Sequence, residues 1–138
     1  LWFEAHYMYR KKLASFAEQF APVKVKFRCG VETFDTALRE AWKKGIPLSV
    51  SVQDIAQHFQ GICLLCCTQG ETKEHILKDI ELARAHFEYF SVNVFCDNHT
   101  PIKQDKELAS WFAKVVYPMI KDDPRIEVLM ENTDLGVG

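Results

Sequence analysis

No apolar run in the sequence approaches the roughly 20 residues that a membrane-crossing helix needs, and no signal-peptide pattern opens the chain. A strong charge of either sign is missing as well. The chain has 17 Lys and Arg against 19 Asp and Glu, for a net charge of −2, which argues against nucleic acid or an anionic membrane as a partner. No Gly-, Pro- or Ser-rich linker divides the 138 residues, so residues 1–138 read as a single α/β domain with one core. The signature loops GxGxxG, GxSxG, HExxH and the P-loop are absent, so none of the chemistries tied to them is indicated. The chain starts on Leu1 instead of Met and its first helix has no visible beginning; it reads as a piece of a longer protein.

Cysteine is present in odd number. Cys29, Cys63, Cys66, Cys67 and Cys96 lie in apolar, strand-like runs, which favours reduced, buried thiols in a cytosolic protein over a disulfide framework. Cys63 and Cys66 make a CxxC, yet no second CxxC follows. On a strand, Cys63 and Cys67 face one way and Cys66 the other. Packed core thiols are therefore favoured over a metal or redox site.

The hydrophobic pattern alternates between helix and strand periods. Trp2 to about Phe20 reads as a helix, with Leu13, Phe16 and Phe20 on one face and Arg10, Lys11 and Lys12 on the other. From Val23 to Cys29 the pattern is a strict alternation, with Val23, Val25 and Phe27 opposite Lys24, Lys26 and Arg28. Thr33 is a candidate N-cap for a helix carrying Phe34, Leu38, Ala41 and Trp42. Ser51 and Asp54 suggest a capping box on a short helix. The continuous apolar run Gly61-Ile-Cys-Leu-Leu-Cys-Cys67 suits a strand buried on both faces. After it, Thr72 opens a helix with Ile76, Ile80, Ala83 and Phe87 inward. A third strand spans Tyr89 to Asp97, and a further helix carries Leu108, Trp111, Phe112, Val115 and Met119, with Pro118 expected to kink its end. The last strand runs from Arg125 to Met130, and the tail from Glu131 to Gly138 reads as loop.

The resulting order, α-β-α-(short α)-β-α-β-α-β, has about four strands alternating with helices and right-handed crossovers. It fits a small open sheet or half of a (β/α) barrel, whose full form takes about 250 residues. The strand faces favour the parallel-stranded half barrel. Lys24, Lys26 and Arg28 on one strand, with Ser91, Asn93 and Asp97 on another, suit a polar barrel interior better than a second helix layer. A plain solvated sheet face is the alternative.

In either architecture, ligands are expected at the carboxyl ends of the strands. Those ends carry Arg28 with Glu32, Thr68 to Glu71, Asp97 to His99, and Glu131 to Asp134. Arg28 could grip a carboxylate and Glu32 could accept hydrogen bonds from an ammonium or ribose hydroxyls; an internal Arg28–Glu32 ion pair is the competing reading. Gly70 reads as a turn residue, and Glu71 as an acid at a helix N-terminus. Asp97, His99, Glu131 and Asp134 could be assembled into a metal site, although their spacing does not demand one. His6, His58, His75 and His86 read as surface or packing residues. On the polar face, Lys24, Lys26, Asn93 and Asn98 are expected to meet a small-molecule or peptide substrate.

Three of these segments resemble the radical S-adenosylmethionine (SAM) enzymes. Lys26-Phe-Arg-Cys-Gly-Val-Glu-Thr33 looks like that family's fourth strand, which often ends in Gly-(Ile/Val)-Glu-(Ser/Thr). The Gly61 strand ending in Gln69-Gly-Glu-Thr72 is similar to the fifth strand and its turn, and Ser91-Val-Asn-Val-Phe-Cys-Asp-Asn98 resembles the sixth. The match runs from about residue 22 to residue 120 and rests on the order and separation of short motifs. It implies the carboxyl-terminal half of a partial barrel that binds SAM across these strands. Glu32 would touch the polar part of the cofactor and Arg28 its carboxylate, while Cys67, Thr68 and Gln69, with Phe95 to Asp97, would flank adenine.

One departure from the family is large. Its CxxxCxxC motif, which holds the iron–sulfur cluster (4Fe–4S), occurs nowhere in the 138 residues, and Cys63-Leu-Leu-Cys-Cys67 has the wrong spacing. The resemblance therefore implies a fragment that is inactive alone, its intact parent cleaving SAM reductively to abstract hydrogen from an unknown substrate. A half barrel would leave the Val23–Cys29 edge bare and favour self-association. Two other functions stay open: a metal- or Lys-dependent barrel enzyme using Lys24, Lys26, Asp97 and Glu131, and a noncatalytic binding domain of flavodoxin-like shape.

Overall fold

A computed structural model describes residues 1–42 and 44–130. Its five strands are β1 (Trp2–Glu4), β2 (Lys26–Glu32), β3 (Gly61–Cys66), β4 (Tyr89–Val94) and β5 (Ile126–Leu129). Every neighbouring pair is parallel and the spatial order is 1-2-3-4-5. A doubly wound sheet reverses its strand order at a switch point; this one does not. Right-handed crossovers in unbroken order set all the connecting helices on one side, which is the winding of a (β/α) barrel and excludes the flavodoxin-like alternative.

The connecting helices are α1 (Leu13–Glu18), α2 (Thr36–Ala41), α3 (Val52–Ala56), α4 (Lys73–His86), α5 (Lys106–Trp111) and α6 (Tyr117–Ile120). Inner residues of these helices and the turns adjoining them, among them Ile55, Phe59, Ile76, Ile80, Ala83, Phe112, Val116 and Ile120, pack on the strand side chains Phe27, Cys29, Val31, Ile62, Leu64, Cys66, Phe90, Val92, Val94 and Ile126. The alternate strand residues face the opposite, uncovered side: Lys26, Arg28 and Gly30, then Gly61 and Cys63, then Tyr89, Ser91 and Asn93, then Glu127. Among the described residues no helix is long and apolar enough to cross a membrane.

Several expectations need correction. The opening segment is not one helix: Trp2–Glu4 forms β1, paired with Lys26–Arg28, and a 3₁₀ turn over Tyr7–Lys12 precedes α1. The strand count among the described residues is thus five, and the edge expected to be bare along residues 23–29 is paired by β1 over Lys26–Arg28. Strand β2 begins at Lys26 and continues to Glu32 with the expected parity. Asp35, not Thr33, caps α2, its carboxylate accepting from Leu38 N at 2.9 Å. The capping box of Ser51 and Asp54 and the Thr72 cap of α4 form as expected.

The helix after β4 also differs. Leu108, Phe112, Val116 and Ile120 are buried, whereas Val115 and Met119 are exposed. Four residues of α-helix turn more than a full circle, so a strict fourfold spacing would drift off the core. A π turn over Phe112–Val116, closed by Tyr117 N donating to Phe112 O, underwinds the helix and keeps the stripe inward. Pro118, which has no N–H to donate, follows within the first turn of α6.

The candidate functional site

Strands β2 and β3 end in the same unusual way. Glu32 has φ of 71° and Cys67 φ of 68°, left-handed values rare for residues other than Gly. Such conformations cost on the order of 1–3 kcal/mol each and persist only where the surroundings hold them. After Glu32 comes Thr33, buried, whose hydroxyl donates to Asp79 Oδ2 at 2.7 Å; the other oxygen, Oδ1, accepts from Phe34 N at 3.0 Å. After Cys67 comes Thr68, also buried, whose hydroxyl and N–H both donate to Glu71 Oε1, at 2.7 and 3.1 Å. Burial pushes both acids up from their ordinary values, Glu71 to about 7, against the pull of these hydrogen bonds.

Charges gather on the uncovered side of β2. The β2–β3 register shifts between Gly30 and Glu32, a bulge that re-aims the side chain. The Glu32 carboxylate lies back over Gly30, 3.4 Å from where a Cβ would stand, with Glu4 beside it. Glu32 Oε1 pairs with Lys44 Nζ at 3.4 Å, and burial raises its pKa although Lys44 opposes the shift. Arg28 pairs with Glu4 at 3.4 Å. The internal Arg28–Glu32 pair left open by the sequence does not form, since each residue has another partner. His6 Nε2 holds the Lys44 carbonyl oxygen at 2.7 Å.

The end of β3 is bracketed from its other side by residues 103–105. Gln69 N donates to Lys103 O and Asp105 N to Cys67 O, both at 2.8 Å, while Asp97 Oδ1 accepts from Gln104 N at 2.8 Å. Cys67, Thr68 and Phe95 are fully buried, so of the residues expected around adenine Gln69 and Asp97 are exposed and Cys96 partly so. The left-handed turn also takes Cys67 out of strand alternation, and its sulfur sits 3.6 Å from that of Cys66.

The substrate set is dispersed. Lys24 and Lys26 lie at the amino end of the sheet, Lys26 paired with Glu88 and over the Trp2 ring, away from the strand ends that carry Glu32 and Cys67. That placement removes the Lys-dependent alternative's pair from the strand ends. Asn98 is spent on its own turn, accepting from Thr100 N and Oγ1. Asn93 remains: it is 6% exposed and its Oδ1 is buried without a partner. Glu131 and Asp134 lie outside the described residues, among which no group of three His, Cys, Asp or Glu is gathered as metal ligands. The cysteines do not fit an iron–sulfur cluster either. Four of the five are buried, and Cys29, Cys63 and Cys66 lie within strands, so no loop presents three thiolates together.

Sequence reasoning missed Glu4, Lys44, Thr33 and Asp79. Only Asp79 carried a signal, an acid on the inner stripe between Ile76 and Ile80.

No family model and no curated protein matches the chain. Among solved structures, a queuine lyase from Clostridium spiroforme bound to SAM and queuine is 35% identical, with a TM-score of 0.89. The alignment covers 100% of this chain and 59% of that one, so the chain spans about three-fifths of the length of the lyase.

Proposed function

The chain belongs to the radical SAM superfamily, and on that premise we propose that it supplies the SAM- and substrate-binding strands of such an enzyme. The observation that carries this is the identity of 35% over the whole chain to a structure bound to SAM. The residues at the strand ends fit the cofactor's polar groups. Arg28 would hold the carboxylate and Glu32 the ammonium, each exchanging its present partner for a charge of the same sign on the ligand. Gln69 and Asp97 would border adenine, resting on the buried Cys67, Thr68 and Phe95. When bound and reduced, SAM supplies hydrogen-abstraction chemistry. The cluster that reduces it would be held by a portion of the protein that this chain does not contain.

For the substrate, we propose a base related to queuine, since that molecule occupies the similar structure. The buried, unpartnered Oδ1 of Asn93 suits a ligand N–H on the uncovered face. Titration calorimetry of SAM into the full-length protein tests the cofactor reading. Saturable binding that weakens about tenfold or more in Arg28→Ala, the scale of one charged hydrogen bond, is expected; no binding by the wild type overturns it. SAM-dependent consumption of queuine, followed by mass spectrometry, tests the substrate.

A further inference from the structure

Adjacent strands carry one device twice: a left-handed residue, then a fully buried Thr, then a buried carboxylate that takes the Thr hydroxyl together with a backbone N–H. On β2 it is Glu32, Thr33 and Asp79; on β3 it is Cys67, Thr68 and Glu71. Asp79 belongs to α4 and Glu71 directly precedes its cap, so one helix holds both turns. Thr33 also accepts from Asp35 N at 3.0 Å, which links the first turn to the cap of α2. Strain of this kind collects where a ligand is positioned.

We propose that Asp79 and Glu71 are positioning residues for the SAM site: through Thr33 and Thr68 they hold the two left-handed turns that aim Glu32 and support Gln69. This rests on the cofactor reading above. Neither acid would touch the cofactor. Asp79 sets the turn whose carboxylate meets it, and Glu71 sets the shelf beneath adenine.

The hydrogen-bond geometry makes the two acids answer differently to the same kind of substitution. Asp79 uses both carboxylate oxygens as acceptors, so Asp79→Asn leaves one oxygen for two donors: with the amide oxygen on Phe34 N, the buried Thr33 hydroxyl proton loses its acceptor. Glu71 uses Oε1 alone, so Glu71→Gln keeps both bonds with its remaining oxygen. The test measures SAM affinity and thermal midpoint together in the full-length protein. Asp79→Asn, Thr33→Val and Thr68→Val should weaken SAM binding about tenfold or more, the scale of a lost buried hydrogen bond. Glu71→Gln, Thr33→Ser and Thr68→Ser should stay within about twofold. Should a valine variant fail to fold, the contrast between Asp79→Asn and Glu71→Gln, both near-isosteric, decides alone. If the weakened variants melt earlier yet bind SAM as tightly as the wild type, the residues are structural and the proposal is overturned. A wild type that binds no SAM overturns the cofactor reading and this role with it, an outcome distinct from normal binding in the variants.

Discussion

Replacing Glu71 with Gln should change how the stability of the protein depends on pH. The carboxyl is 7% exposed, and burial raises its pKa from 4.5 to about 7 in spite of the two bonds from Thr68, with Asp79 adding to the rise and His75 opposing it. In the unfolded chain the group returns to 4.5. Between these values the folded state holds a proton that the unfolded state has lost. The contribution of Glu71 is therefore fully present below about pH 4.5 and is lost as pH rises through about 7. Each unit of difference counts for about 1.4 kcal/mol, so the wild type gives up about 3 kcal/mol across that window to this one group. Glu71→Gln keeps the acceptor for Thr68 and never ionises. It should match the wild type near pH 4.5 and be the more stable by up to about 3 kcal/mol near pH 8. Asp79 and Glu32 shift in the same direction, which steepens the slope of both proteins. Urea unfolding followed by tryptophan fluorescence from pH 4.5 to 8 measures it. A gap between the two proteins that does not change with pH would refute the reasoning.

Gly61→Ala would place a Cβ 2.8 Å from Tyr89 O and 3.1 Å from the Trp2 ring; overpacking against backbone should cost about 1–3 kcal/mol, and a melting temperature equal to the wild type's would contradict the close approach of β1. Among the cysteines, Cys96 alone is partly exposed, while burial raises the thiols of Cys29 (to about 12) and Cys63, and the hydrogen bond with Cys67, together with burial, raises that of Cys66. Brief alkylation of the native protein should label Cys96 only, and labelling of Cys66 or Cys67 seen by peptide mass mapping would mean that the end of β3 opens.

Where residues repeat at a fixed period over a full element, the sequence was legible. The buried run at Gly61, the alternation on β2 and the stripe at Ile76, Ile80 and Ala83 all took their expected places. Strand β1 was not legible, because three residues give no period and Trp2-Phe-Glu becomes a strand only by lying along Lys26–Arg28. The π turn was equally hidden: Val115 fits an α-helical stripe, and only the i→i+5 bond at Tyr117 turns Val116 inward instead. At the site, the strand-end residues themselves could be read, but their partners could not. Glu4 and Lys44 reach Arg28 and Glu32 from other elements, and no local spacing encodes a contact between elements. Asp79 was the exception, since a charge on a buried helical stripe requires a partner.

The polar groups of β2 are all paired from outside the strand: Lys26 with Glu88, Arg28 with Glu4, and Glu32 with Lys44. A ligand bearing both a carboxylate and an ammonium would meet no free charge there and would have to exchange partners. The exchange costs little at Arg28, where Glu4 is more than half exposed and such pairs contribute about 0–1 kcal/mol. It costs more at Glu32, which is 18% exposed and would be left uncompensated if Lys44 withdrew without replacement. An ammonium entering as Lys44 leaves avoids that penalty, whereas a neutral ligand does not. On the proposed cofactor reading, selection for a zwitterion such as the methionyl end of SAM would therefore fall mainly on the more buried of the two pairs, at the left-handed turn beside Thr33 and Asp79.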